Sequence, residues 1–169
     1  MVTIEELATE HFELVAQWLS RPDTNRWLTF EWRNREVSPS MIAIAVRNRK
    51  NRLFIFKNDN VPSGLVGLSD LDLGDKTSMI WYVLGDLNLS GKGVTSEAVC
   101  KLIYTAFHEI GLFSIYAWIM EDNIASEKVL NKVGFKKAGC IRCATSSSGR
   151  QVNRIYFDII PESSQAERC

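Results

Sequence analysis

The sequence predicts a mixed α/β fold built around a largely antiparallel, twisted sheet, and three observations carry that expectation. Ala98, Val99, Leu102, Ile103, Ala106, Phe107 and Ile110 recur at three- and four-residue steps, the spacing of an amphipathic helix. Met79-Ile80-Trp81-Tyr82-Val83-Leu84 is apolar throughout, and Ile115, Ala117 and Ile119 alternate against Tyr116 and Trp118, as strands do. The elements follow in the order strand, two helices, three strands, helix, strand, helix, two strands, and tight turns join the three consecutive strands.

Residues 2–7 make an edge strand. Thr9 then caps a first helix with Phe12, Val15, Ala16 and Leu19 on its buried side. Arg21-Pro22-Asp23 ends that helix. The stretch Asn25 to Trp32 is rich in aromatics and has no clean period, so it reads as a loop that either lids the core or lines a substrate groove. Ser38-Pro39 starts a second helix, Pro being suited to a first turn, and Met41, Ile42, Ile44, Ala45 and Val46 supply its apolar face. Strands follow at 53–57, 65–73 and 78–84, with hairpin turns at Asn58-Asp59-Asn60 and Gly74-Asp75-Lys76. A polar turn ending in Gly91-Lys92-Gly93 feeds the long helix, which Gly111 stops. After a strand at 114–120, Asn123 opens a shorter helix with Ala125, Val129 and Val133 on one side. Gly134 sits where a left-handed helix stop is expected. A strand at about 138–145, a turn at 146–150 and a last strand at 153–160 complete one domain over 1–161, and 162–169 is a frayed tail.

At 169 residues, with 46% apolar and 24% charged residues, the chain suits one ordinary globular domain with a sizeable core. Twenty basic residues balance twenty acidic ones, so no global field draws the protein onto nucleic acid or an anionic membrane. The local cluster from Arg47 to Arg52 reads as a solvated helix end and turn rather than an anion-binding patch. Glu5, Glu6 and Glu10 argue against a signal peptide, and no apolar run reaches the ~20 residues of a membrane helix, so a cytoplasmic protein is expected. Four cysteines form no disulfide framework. Cys140-Ile141-Arg142-Cys143 lacks a partner pair and lies in a predicted strand, so no metal site is expected there. His11 and His108 sit in predicted helices without a ligand-like neighbour.

The chemistry points to the stretch from Asn88 to Val133. A strand, a glycine turn and a helix start read by themselves as a plain strand-to-helix turn or as a phosphate cradle, in which glycines admit close backbone approach and the first helical amides, with no internal acceptor, point outward. Asn88-x-x-Gly91-x-Gly93, Thr95-Ser96-Glu97-Ala98, Asn123-x-x-Ser126 and Gly134-Phe135 stand in the order and spacing of the GNAT superfamily of acyl-CoA N-acyltransferases. They resemble the branch that includes ribosomal-protein N-terminal acetyltransferases and several small-molecule acetyltransferases. The resemblance is close over the C-terminal half and rests on element order over the N-terminal half. Asn88 departs from the Gln or Arg of the family's pyrophosphate motif, which removes a long donor and leaves the backbone cradle.

The resemblance implies a GNAT fold in which the strands around 79–84 and 114–120 run parallel and splay, with acetyl-CoA in the V as co-substrate and no metal. Gly91, Lys92, Gly93, Val94 and Thr95 would hold its pyrophosphate, with Asn88 nearby. Trp81 to Leu84 would pair with the pantetheine arm, and a free amide at Val83 or Leu84 would bond the thioester oxygen. Asn123 would cap the last helix and contact a pantetheine amide. Ser126 would hydrogen-bond or protonate the leaving sulfur, against the alternative that it bonds its own backbone; the place of a family tyrosine falls on Leu130. The position of a glutamate in the ribosomal-protein branch falls on Thr145. Asp70, Asp72 and Glu121 remain as candidate bases, each more simply a turn or surface acid, and no base is assigned. Trp27, Phe30, Trp32 and Asp70 are the candidate acceptor-site residues. The implied activity is transfer of acetyl to a primary amine. The acceptor is a small molecule (an amino sugar nucleotide, amino acid or antibiotic) or a peptide N-terminus, and a non-catalytic CoA sensor is the alternative of another class. A monomer or homodimer is expected.

Overall fold

The computed structural model describes residues 1–29, 32–147 and 149–161. Seven strands form one sheet: β1 (Val2–Glu6), β2 (Arg52–Asn58), β3 (Val61–Asp72), β4 (Thr77–Leu84), β5 (Ser114–Met120), β6 (Lys136–Ser147) and β7 (Arg150–Ile159), in the order β1-β2-β3-β4-β5-β7-β6. The β4–β5 pair is parallel and every other pair antiparallel. Helices α1 (Phe12–Ser20), α2 (Pro22–Asn25) and α3 (Pro39–Arg47) precede β2; α4 (Val94–His108) and α5 (Ile124–Val133) flank β5. The expected mixed, largely antiparallel sheet is present.

Helices cover both faces, which is why the central strands are apolar at successive positions. Val99, Leu102, Ile103 and Ala106 of α4 pack with Phe54, Phe56, Val66, Leu68 and Phe157 on one face. Val15 and Leu19 of α1 and Ile42 of α3 pack with Leu53, Ile55, Leu65 and Val83 on the other. The long helix buries six of its predicted apolar positions, and Ile110 packs beside them. The turn at Asp59 and Asn60 has φ of 50° and 66°, the left-handed pair that suits a hairpin turn between twisted strands.

Several expectations need correction. Thr9 does not cap α1; it starts a 3-10 turn, Thr9–His11, and His11 precedes α1 without a side-chain cap bond. Pro22 begins the one-turn α2 instead of merely ending α1, since its fixed φ suits a first helical residue. Ile44 and Val46 of α3 are exposed while Ile42 and Ala45 are buried. In α5 it is Leu130 and Val133 that are buried, and Ala125 is exposed. The β6–β7 hairpin is longer than predicted and has register breaks between Lys137 and Gly139 and between Ile141 and Thr145. Cys140 and Cys143 are free and exposed, as expected of cysteines outside any disulfide framework. Residues 162–169, expected as a frayed tail, lie outside the described residues.

One buried side chain organises the loop between α2 and α3. Asn25, 5% exposed, donates from Nδ2 to the carbonyls of Leu19 (2.8 Å) and Trp32 (2.7 Å), and its Oδ1 accepts from the Asn34 amide. An irregular loop lacks ladder partners, and this amide supplies them. Asn25→Ala leaves buried carbonyls unpaired and is expected to cost about 1–3 kcal/mol. A lower melting temperature together with faster proteolytic nicking between residues 26 and 36 is the expected result; an unchanged nicking rate would show that the loop is held by other means.

Candidate active site

β4 and β5 are paired only through Thr77–Ser114, Ser78–Ile115 and Met79–Tyr116, yet β4 continues to Leu84 and β5 to Met120. The strands therefore splay, and a cleft of about 1390 Å³ follows the gap. Ordinary small-ligand sites hold roughly 300–1,000 Å³, so this one has room for a long nucleotide thioester and a second reactant.

One part of the cleft is the turn into α4. Gly91 and Gly93 have φ of 75° and 83°, a region that L side chains enter at a cost, and Gly93 caps the helix without a side-chain bond. The Glu97 amide is the first to find the helix, pairing with Gly93 O at 3.1 Å. The amides of Gly91, Gly93, Val94, Thr95 and Ser96 have no backbone acceptor among the described residues. Lys92 differs from expectation: its amide is turned inward to Leu89 O at 3.1 Å, and its exposed side chain does not line the cleft. Asn88 is likewise exposed, in a 3-10 turn whose Asp86 accepts its amide, and is absent from the cleft wall. Val94 buries its side chain and offers only its backbone. The sequence reading missed Lys132. A Cβ on Gly93 would lie 3.0 Å from Lys132 Nζ, so α5 brings a cation over the turn, with Lys128 one helical turn before it on the same wall. Their four-residue spacing was the available signal.

Strand register decides which β4 amides face the gap. Gly85 N bonds Ser63 O of β3 at 2.7 Å, and Ser114 N of β5 reaches Lys76 O at 3.4 Å. Odd-numbered residues of β4 thus turn their backbone groups toward β3 and even-numbered ones toward β5. Val83, expected as a free donor, faces Leu65 across the β3 ladder, as Trp81 faces Gly67; Tyr82 and Leu84 are the residues directed into the gap. Arg21 secures the strand end by donating to Leu84 O (2.9 Å) and Gly85 O (2.6 Å).

The first turn of α5 forms the facing wall. Asn123 caps α5 by accepting the Ser126 amide at 3.2 Å, as its sequence position implied. Ser126 lines the cleft, its carbonyl accepts from Tyr82 Oη at 3.0 Å, and its hydroxyl has no partner among the described residues. Burial pushes the Tyr82 phenol well above its ordinary value, so it stays protonated and acts as a donor. Leu130, in the place of a family tyrosine, is wholly buried in the core.

The other end of the cleft is aromatic. Trp27, Trp32, Trp81 and Trp118 line it, with the Trp32 and Trp81 rings 6.4 Å apart and Trp81 Nε1 donating to Ser69 Oγ at 2.9 Å. Phe30, named with this group, lies outside the described residues. Asp70 also lines the cleft; at φ 52° it sits in the β3 register break after Ser69 and accepts from Tyr116 Oη at 3.3 Å. Burial, reinforced by this carboxylate, raises the Tyr116 phenol. Asp72 is a turn acid held down by the amides of Asp75 and Gly74, and Glu121 bonds Asn153 N and Nδ2; neither lines the cleft. Thr145, where the family resemblance would have a glutamate, is buried and accepts from Arg33 Nη1 at 2.7 Å. Trp118 and Arg154 were not foreseen, because alternation placed Trp118 on a strand without showing which sheet face stayed open.

The family model of the acetyltransferase (GNAT) domain matches residues 2–136. An uncharacterized N-acetyltransferase, p20, of Bacillus licheniformis is 27% identical over 165 residues, covering 94% of this chain and 92% of that protein. The spermidine N-acetyltransferase of Vibrio cholerae in complex with CoA and spermine superposes with a TM-score of 0.85 at 14% identity, covering 96% of both chains. Mycobacterium smegmatis RimJ in complex with CoA-disulfide gives 0.81 at 18% identity, covering 99% of this chain and 87% of that one. The splayed strands and the open amides at the start of α4 accord with that match: the chain is an acetyltransferase of the GNAT family.

Proposed function

We propose that this acetyltransferase moves an acetyl group from acetyl-CoA to the primary amine of a small molecule, by direct transfer within a ternary complex. The observation that carries the small-molecule reading is the tryptophan-walled end of the cleft, which offers apolar surface for a compact acceptor.

The residues present suit a CoA thioester. The open amides of Gly93, Val94 and Thr95 and the Lys132 ammonium meet the needs of a diphosphate. Bound acetyl-CoA supplies an activated acyl group whose thiolate is a good leaving group. The Leu84 amide, facing the gap, is the donor for the thioester oxygen, with Tyr82 pairing the pantetheine arm. The Ser126 hydroxyl hydrogen-bonds the departing sulfur, in a first turn held by Asn123 and Tyr82. Asp70 receives the acceptor's ammonium and takes its proton, since an alkyl ammonium with a pKa near ~10 must be neutral to attack. As the amine nitrogen bonds the acyl carbon, the carbon–sulfur bond breaks, and the nitrogen's second proton goes to the departing thiolate, leaving an amide and free thiol.

Release of free thiol from acetyl-CoA, followed with a panel of small amines and of peptides, tests the assignment. Turnover with small amines is expected. Turnover with peptides alone would replace it with N-terminal acetylation, and cofactor binding with no turnover would make the protein a CoA sensor. Gly93→Val should weaken CoA binding by about tenfold or more in a protein that still unfolds cooperatively, at a lowered melting temperature, because a β-branched residue is strained at this left-handed cap and Lys132 is displaced. Lys132→Ala should raise the Michaelis constant for acetyl-CoA severalfold and leave the acceptor constant unchanged; equal effects on both would remove Lys132 from the cradle. Ser126→Ala should lower turnover by about tenfold or more with little change in cofactor affinity, and an unaltered rate would strip Ser126 of its role.

A further inference from the structure

Among the described residues, Arg154 is a cation with no anion. It lies on β7 opposite Met120, lines the aromatic end of the cleft, and stacks its guanidinium 4.0 Å from the Trp118 ring centroid. Its Nε is buried with no hydrogen-bond partner, and none of the ion pairs among the described residues includes it. A guanidinium is always charged and has five donors, so a half-buried one without acceptors leaves a strong binding capacity unused.

Its neighbours make the deficit larger. Arg33 donates to Thr145, not to a carboxylate, and burial with the like charge of Arg154 makes its protonated state harder to hold. Among the described residues, Glu121 is held by Asn153, and Asp70, which accepts from Tyr116 through Oδ2, makes no ion pair with Arg154. Asp23, the other acid of the cleft wall, belongs to α2. Arg33 and Arg154 therefore bring two like charges together, and Arg154 stands beside indole rings of the cleft that suit an apolar or planar body.

We propose that Arg154, backed by Arg33, binds an anionic oxygen group on the acceptor, so that the acceptor is an amine that also carries a carboxylate or a phosphate. The amine goes to Asp70, the anion to Arg154, and the part between them lies against the tryptophans. A molecule with several positive charges and no anion finds repulsion at this corner. This assignment rests on the acetyl-transfer reading above.

Matched probes test it: phenylalanine against phenethylamine, tryptophan against tryptamine, and phosphoethanolamine against ethanolamine. Each is titrated by calorimetry into the CoA-loaded protein and assayed for thiol release with acetyl-CoA. In at least one pair the anionic member should be favoured by about ten- to a hundredfold, the range of a charge-assisted hydrogen bond. The carboxylate and phosphate pairs tell the two groups apart. In Arg154→Met that ratio should fall to within about twofold, and Arg33→Gln should lower it in part. Because the ratio is taken within one variant, partial unfolding does not mimic the effect. Equal affinity within all pairs, or a preference that survives in Arg154→Met, overturns the proposal. Binding preference without thiol release from any amine would remove the transfer reading and leave the anion site. Turnover with no preference would do the reverse.

Discussion

The structure depends on the parting of β4 and β5. These are the sheet's one parallel pair, and they share a ladder for three residues only. Beyond Met79 each strand keeps its other partner, β3 or β7, so neither loses its place in the sheet. What is given up is one edge of each, a row of peptide groups that must find acceptors or donors elsewhere. In most sheets such an edge is a liability. Here it lies between two helices and is wide enough for a ligand that brings amides of its own.

The elements around the gap are there to hold it open. Arg21 fastens the end of β4 through two carbonyls, and Tyr82 ties β4 to the first turn of α5. Gly85 admits the Trp18 indole so closely that a Cβ there would come within 2.4 Å of the ring. Glu97 of α4 accepts the Val2 amide and so joins the helix that begins at the cradle to the far edge of the sheet. These contacts are individually modest, and together they fix the relation between the open amides at the start of α4, the Leu84 amide and Ser126, the groups to which the proposed acyl transfer assigns its roles.

Much of this was legible in the sequence, for physical reasons. Periodicity fixes which face of α4 is buried, and Gly91 and Gly93 announce a left-handed turn before a helix. Asn123 could be read as a cap because its side chain suits that position. The register was not legible. Whether Val83 or Leu84 faces the gap depends on which β3 residue pairs with each, and a purely apolar run carries no mark of this. Lys92 and Lys132 show the same limit. The lysine inside the motif turns its amide inward, while the lysine that meets the turn comes from a helix about 40 residues later. Asn25 was missed because an aperiodic loop does not show which carbonyls fold back onto its side chain, and Arg154 because alternation does not show which sheet face stays open.

The central claim is that the peptide groups released where β4 leaves β5, and those at the start of α4, are the ones acetyl-CoA engages. Amide hydrogen exchange of residues 82–84 and 91–96, with and without CoA, tests it most directly. The account predicts slower exchange in both segments when CoA is bound, with the 64–68 region of β3 unchanged. Exchange in both segments that is indifferent to CoA, while calorimetry shows the cofactor bound, would contradict it.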